Sequence, residues 1–199
     1  MPNQKSKPKQ SQIQRKLMDE GLKLIARHGI FGCKVEDITS AANVGKGTFF
    51  NYFGTKDLFV ARLVENTLSD LARRLAPLGH ANAPAGQFLS NLGGVYLRYF
   101  QLRPEVAALL VQAPSLPSDT DAGLRIKKSL GNHLDMVGQL LAPYGRELGW
   151  EQNVRELALS LLSLSCGFFW LGQDLVNPPG QLLERLGKIM AYGLAQPGR

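Results

Sequence analysis

Asn43-Val44-Gly45-Lys46-Gly47-Thr48-Phe49-Phe50-Asn51-Tyr52-Phe53-Gly54-Thr55-Lys56 decides the fold. Four aromatic rings fall within five positions, in a segment otherwise made of Gly, Thr, Asn and Lys. A core strand would absorb such rings, but the flanking glycines, the lysines and the helical pattern before them argue against one. On a helix, Phe49, Tyr52 and Phe53 share one side at the i, i+3, i+4 spacing of an inward stripe. Lys46, Gly47 and Phe50 then look outward, flanked by Thr48 and Asn51. A cation, two hydrogen-bonding side chains, a ring and a glycine permitting close approach suit an anionic, groove-shaped partner. Gly45-Lys46-Gly47-Thr48 resembles a phosphate-binding loop only superficially. That motif needs an earlier glycine where Ser40 stands, and a buried strand leading in.

The flanks also read as helix. Ile13, Leu17, Gly21, Leu24 and His28 recur at helical steps and predict a first amphipathic helix ended by His28-Gly29. Residues 1–10, rich in Lys, Gln, Pro and Ser, are expected to form a mobile basic arm. Val35, Ile38 and Ala41/Ala42 predict a short second helix with Glu36 and Asp37 in its first turn, where the helix dipole favours acids. Asn43 stands at the turn before the aromatic helix, which Gly54 closes. Thr55 is placed to cap a fourth, long helix carrying Leu58, Ala61, Val64, Leu68, Leu71 and Leu75 as far as Pro77 and Gly79.

Beyond that rod, helices are expected over about 85–102, stopping before Pro104, and over about 104–112. Another opens at a capping-box-like Ser118-Asp119-Thr120-Asp121 and runs through Leu141. Two apolar seams run along 150–176: Val154, Leu157, Leu161, Leu164, Phe168, Leu171 and Leu175, and beside it Ala158, Leu162, Ser165, Phe169, Gly172 and Val176. A last helix at about 180–195, with Leu186 and Met190, lies ready to pack on it. No strand alternation occurs, so the fold class is all-α. Leu157 through Gln173 carries no charge, but it is short for a span, and Ser160, Ser163, Ser165 and Gln173 interrupt it. Packing between two subunits is the better use, with Leu157, Leu161, Leu164, Phe168, Leu171, Leu175, Leu186 and Met190 as the expected dimer interface in a four-helix bundle.

The chain of 199 residues has a net charge of +7. Residues 1–60 hold ten Lys/Arg against five Asp/Glu, so most of that charge sits in the first third, as binding to nucleic acid or an anionic surface requires. Cys33 and Cys166 lie far apart without metal-ligand spacing, and no apolar signal stretch opens the chain, so a reduced, cytoplasmic protein is expected. With three unclustered His (28, 80 and 133) there is no raw material for a metal centre or a catalytic triad, and neither a metal, a cofactor nor an enzyme activity is expected.

Two short helices joined by a four-residue turn form a helix-turn-helix. Val35 through Leu58, read as VEDITSAANVGKGTFFNYFGTKDL, resembles the signature of the TetR family of bacterial transcriptional regulators. The resemblance covers residues 11 to about 60; the rest resembles the family in helix count, length and its apolar final pair. It implies a DNA-binding domain at 11–56 behind the 1–10 arm, and a larger ligand-binding and dimerisation domain at 57–199. It also implies a homodimer on a double-stranded operator, and repression relieved by a small molecule. Three departures matter. Asn43 stands where the family often has Gly, and Asn tolerates a left-handed turn next best. Gly45 replaces a frequent Ser at the recognition-helix cap, a loss of a few tenths of a kcal/mol. Phe50 replaces a frequent Tyr, removing a hydroxyl that reaches phosphate and tilting the position toward a thymine methyl or sugar.

On that docking geometry, Lys46 and Lys56 are expected on phosphates, Thr48 and Asn51 on base edges or nearby phosphates, and Thr39 as a further contact. Gly47 allows approach and Phe50 reads apolar groups. Two copies about 34–36 Å apart reach successive major grooves, so the operator is expected to be an inverted repeat. Tyr96, Arg98, Tyr99, His133 and Trp170 are candidates to line a pocket for a small, largely apolar effector. The long fourth helix is the expected link between effector and DNA. A helical enzyme and a membrane-surface adaptor are the competing classes.

Overall fold

The computed structural model describes residues 6–80, 83–148 and 152–172, with side chains from Gln12 to Trp170. The described residues are all helical or connecting. They comprise α1 (Ser6–Gly32), α2 (Val35–Ala42), α3 (Lys46–Phe53), α4 (Lys56–Leu75), α5 (Ala85–Leu102), α6 (Pro104–Gln112), α7 (Asp121–Leu141) and α8 (Val154–Gly172), with short 3-10 turns after α4, α6 and α7. Half of the expected arm therefore belongs to α1, which begins at Ser6. The expected final helix, with Leu186 and Met190, and Leu175 before it, lies outside the described residues.

The small N-terminal bundle closes on aromatics. Phe49 of α3, Phe53 of the same helix and Phe59 of α4 meet with ring centroids 5.2, 5.1 and 4.8 Å apart, in tilted and edge-on geometries that match the ring quadrupoles. The Phe59 ring lies directly on Gly21 of α1, so close that a Cβ there would overlap it. Leu17, Ile25 and Ile38 complete this core, all essentially without solvent contact.

The rest is a helical layer built on α4. Its inner stripe of Val64, Leu68, Leu71 and Leu75 is buried, and it packs most extensively against α7. Arg125 of α7 grips Glu65 of α4 through two parallel bonds, Nε to Oε1 at 2.8 Å and Nη2 to Oε2 at 2.9 Å. Pro104 begins α6 at a position where its missing N–H costs nothing. Thr120, not Ser118, caps α7 by accepting from the Gly123 N–H at 3.1 Å; the expected capping box starts two residues too early.

Inside this layer Tyr96 Oη and His133 Nε2 lie 2.7 Å apart, both buried, while His133 Nδ1 finds no partner. Desolvation holds the imidazole neutral, lowering its pKa from 6.5 to about 4. The unfolded chain therefore takes up this proton first. Stability is flat above the unfolded pKa and falls as pH drops from about 6.5 through 4, by up to about 3 kcal/mol. Urea unfolding of His133→Phe across that range should show the dependence shrinking; an unchanged slope would place the titrating group elsewhere.

Candidate nucleic-acid interface

The turn between α2 and α3 is set by Asn43. It adopts φ 55°, ψ 51°, the left-handed conformation the sequence calls for, and its N–H caps Ser40 O at 3.0 Å while Val44 N–H caps Thr39 O at 2.9 Å. Gly45 follows as the extended N-cap of α3, with no side-chain cap on the helix. The first N–H groups of α3 are thus left without a side-chain acceptor at the positive end of the helix dipole, an arrangement that suits a phosphate oxygen.

With Phe49 and Phe53 buried and Tyr52 half-buried against the core, the opposite face of α3 is open. Lys46, Gly47 and Asn51 are exposed, Thr48 is partly exposed, and Phe50 keeps 47 % of its surface in solvent while its edge meets Phe49 at 5.6 Å. Five of the seven expected DNA contacts therefore share one continuous face. Lys46 also pairs with Glu36 of α2, and that bond holds the Glu36 carboxyl below its ordinary range. Both partners are exposed, so the pair is weak.

Two expected contacts are elsewhere. Thr39 is only 4 % exposed and its hydroxyl donates to Glu36 O at 3.0 Å. It lies beside Ile38 on the face of α2 that packs inward. Lys56 is folded back onto the end of α1, where its ammonium donates to Ile30 O at 3.0 Å, Cys33 O at 3.2 Å and Phe31 O at 3.5 Å. These are carbonyls left open where α1 ends, so Lys56 caps that end of the chain. Lys56→Met is expected to cost about 1–3 kcal/mol of stability by stranding part-buried carbonyls, while leaving the salt dependence of DNA binding unchanged. A shallower log–log salt slope in this variant would return Lys56 to the phosphates.

Sequence reasoning missed what holds that end of α1 in place. Gly29 has φ 74° inside α1 and interrupts the helical ladder. The Ile30 N–H donates instead to Gln112 Oε1 of α6 at 3.0 Å, a contact across 82 positions that no local pattern announces. Thr55 does cap α4 as expected, accepting from the Leu58 N–H at 3.1 Å.

Of the expected effector residues, the structure brings Tyr96 and His133 together, bonded to each other in the core. Arg98 points to solvent, and Tyr99 is buried with the Arg74 guanidinium 5.1 Å from its ring centroid. Desolvation pushes the Tyr99 hydroxyl up to about 12. Trp170, 41 % exposed, borders a separate groove with Lys23, Arg27 and Glu105. The expected dimer seam divides likewise. Leu157 and Leu161 are wholly buried within the single chain and Phe168 is partly buried, leaving Leu164 at 48 % exposure. The Leu171 side chain lies outside the described set. Leu159, Ser163, Leu164, Gly167 and Trp170 lie instead on the side of α8 turned away from the core.

A family profile described as bacterial regulatory proteins, tetR family, matches residues 17–63, the stretch from mid-α1 through the first turns of α4. The HTH-type transcriptional repressor Rv3405c of Mycobacterium tuberculosis is 32 % identical over 133 residues, which cover 60 % of this chain and 68 % of that protein. The chain belongs to the TetR family. A second relative, the HTH-type transcriptional repressor DhaR of Mycobacterium sp., is 34 % identical over 80 residues, and that match spans 40 % of each protein. Among solved structures, the fatty acid degradation regulator FadR from Bacillus halodurans superposes with a TM-score of 0.74 at 20 % identity, covering 92 % of this chain and 96 % of that one. FadR from Bacillus subtilis in complex with stearoyl-CoA superposes at 0.73 and 17 % identity, over 90 % and 98 %. These likenesses show a shared TetR-type fold. TetR-family proteins are regulators, not enzymes. No helix among the described residues is long and apolar enough to cross a membrane.

Proposed function

We propose that this chain is a homodimeric, sequence-specific DNA-binding regulator, most simply a repressor released from an inverted-repeat operator by a small, largely apolar effector. Residues 11–56 act as the reading head and 57–199 as the effector and dimer domain. The observation that carries this reading is the open face of α3: Lys46 toward phosphate, Thr48 and Asn51 toward base edges, Phe50 toward a thymine methyl, and Gly47 allowing contact. The repressor names of two relatives and the acyl-CoA in a neighbouring structure support the regulatory and effector parts.

One eight-residue helix per subunit is too small for tight specific binding, so the account needs a second copy. The outward side of α8 supplies the surface. Leu159 and Leu164 are each about half exposed, at 49 % and 48 %, beside Ser163 and Gly167, whose small size permits close helix approach. Leu159→Asp combined with Leu164→Asp should convert the dimer to monomers in sedimentation velocity and weaken operator binding, with helicity retained. A variant that remains dimeric would remove this face from the interface. Operator binding itself is tested by fluorescence anisotropy over a salt series. Log affinity should fall linearly with log salt, and a flat response would contradict the reading.

A further inference from the structure

Three cavities among the described residues differ in chemistry. The groove between α1 and α4, about 650 Å³, has Met18, Leu22 and Leu63 as its apolar part, but Arg15, Asp19, Arg62, Asp70, Arg73 and Arg103 make its walls mostly polar, with Asp70 already holding Arg73. The groove at Trp170, about 490 Å³, mixes Lys23, Arg27 and Glu105. The third, about 400 Å³, lies between the 113–118 connection, α7 and the start of α8. Its walls are mostly apolar, with Leu116, Ile126, Leu130 and Leu134 among them, and Lys127 and Arg155 stand with them.

We propose that this third groove is the effector site and that it takes an amphiphilic monocarboxylate, an apolar chain lying on Leu130 and Leu134 with its anionic end at Lys127. Charge complementarity decides the class. Arg155 is tied by Nε to Asp135 Oδ1 at 2.9 Å, whereas Lys127 has no ion-pair partner among the described residues. The groove thus presents one uncompensated cation beside an apolar floor and no matching anion. A neutral hydrocarbon leaves that cation unused, and a polyanion has only one to meet.

The walls also carry the grips on the reading head. Ala113 lines the groove, and the residue before it, Gln112, holds the Ile30 N–H at the break in α1. Ile126 lines it too, and the residue before it, Arg125, clamps Glu65 of α4. A ligand wedged between the connection and α7 displaces two elements whose next residues fix α1 and α4. Binding there therefore has differential contact with two arrangements of the head, which is what effector control requires.

This inference rests on the regulatory reading above, and the experiment separates the two. Isothermal titration calorimetry on the full chain uses straight-chain carboxylates from hexanoate to dodecanoate and the matching alcohols, with duplex affinity measured with and without each probe. At least one carboxylate should bind saturably and lower duplex affinity. Lys127→Gln should weaken it about tenfold while sparing the alcohol, and Leu130→Trp, which fills the groove, should remove both. Lys127 is exposed, so its variant folds even if the Trp variant does not. No saturable binding across the series, affinity indifferent to Lys127→Gln, or binding without effect on the duplex would each overturn the site. Loss of duplex binding in the probe-free control would instead overturn the regulatory reading.

Discussion

Replacing Asn51 or Phe50 by Ala lowers operator affinity by at least roughly thirty-fold, because each change acts in both half-sites and a lost base contact costs about 1–3 kcal/mol per site. The thermal midpoint should barely move. Asn51 is exposed, and Phe50, half in solvent, meets the core ring Phe49 in a T-shaped contact. The two variants should differ in what they relax. Asn51→Ala removes a hydrogen-bonding amide and broadens preference at one base pair, whereas Phe50→Ala removes apolar contact and weakens discrimination for thymine. Anisotropy titrations against single-base operator variants measure both effects. Equal loss on every sequence would make these residues phosphate contacts.

Phe49→Ala, one residue away, should fail differently. Phe49 is fully buried and packs against both Phe53 and Phe59, so truncation leaves a cavity and costs about 3–5 kcal/mol. That is a large share of the stability of a small helical unit. DNA binding should be lost with the fold of the N-terminal bundle, and urea unfolding should show an earlier transition for this part of the chain. A stable Phe49→Ala variant that merely binds DNA weakly would mean that α3 is held by something other than its inner rings. Adjacent substitutions on one helix, one spoiling recognition and the other spoiling folding, separate the two faces more cleanly than either alone.

How much of this is legible in the sequence follows from what periodicity reports. The spacing of Phe49, Tyr52 and Phe53 assigns faces without ambiguity, because a helix has one inward side and three rings claim it. Asn43 before Val44-Gly45 predicts the left-handed turn, since few other side chains tolerate it. Pro104 and the Thr55 cap mark helix starts for backbone reasons that need no tertiary context. Periodicity does not name partners. Lys56 looks like a free cation until α1 ends beside it with open carbonyls, and Glu36 looks unattached until the turn brings Lys46 to it. Thr39 reads as a polar edge residue, yet an eight-residue α2 buries it together with Ile38 and Ala42. On α8 both apolar seams contribute buried residues, Leu157 and Leu161 from one and Ala158, Leu162, Ser165 and Phe169 from the other, against α5, α6 and α7; Leu164 of the first seam stays half exposed, as does Leu159, which belongs to neither. Residue type points Tyr96 and His133 toward a pocket, whereas the fold pairs them with each other.

Selection of bound sequences from a random duplex pool tests the central claim most directly. Two copies of α3 presenting Lys46, Thr48, Phe50 and Asn51 predict enrichment of an inverted repeat whose half-site centres lie about one helical turn, 34–36 Å, apart. Recovery of no enriched site, or of a lone asymmetric half-site, would contradict it.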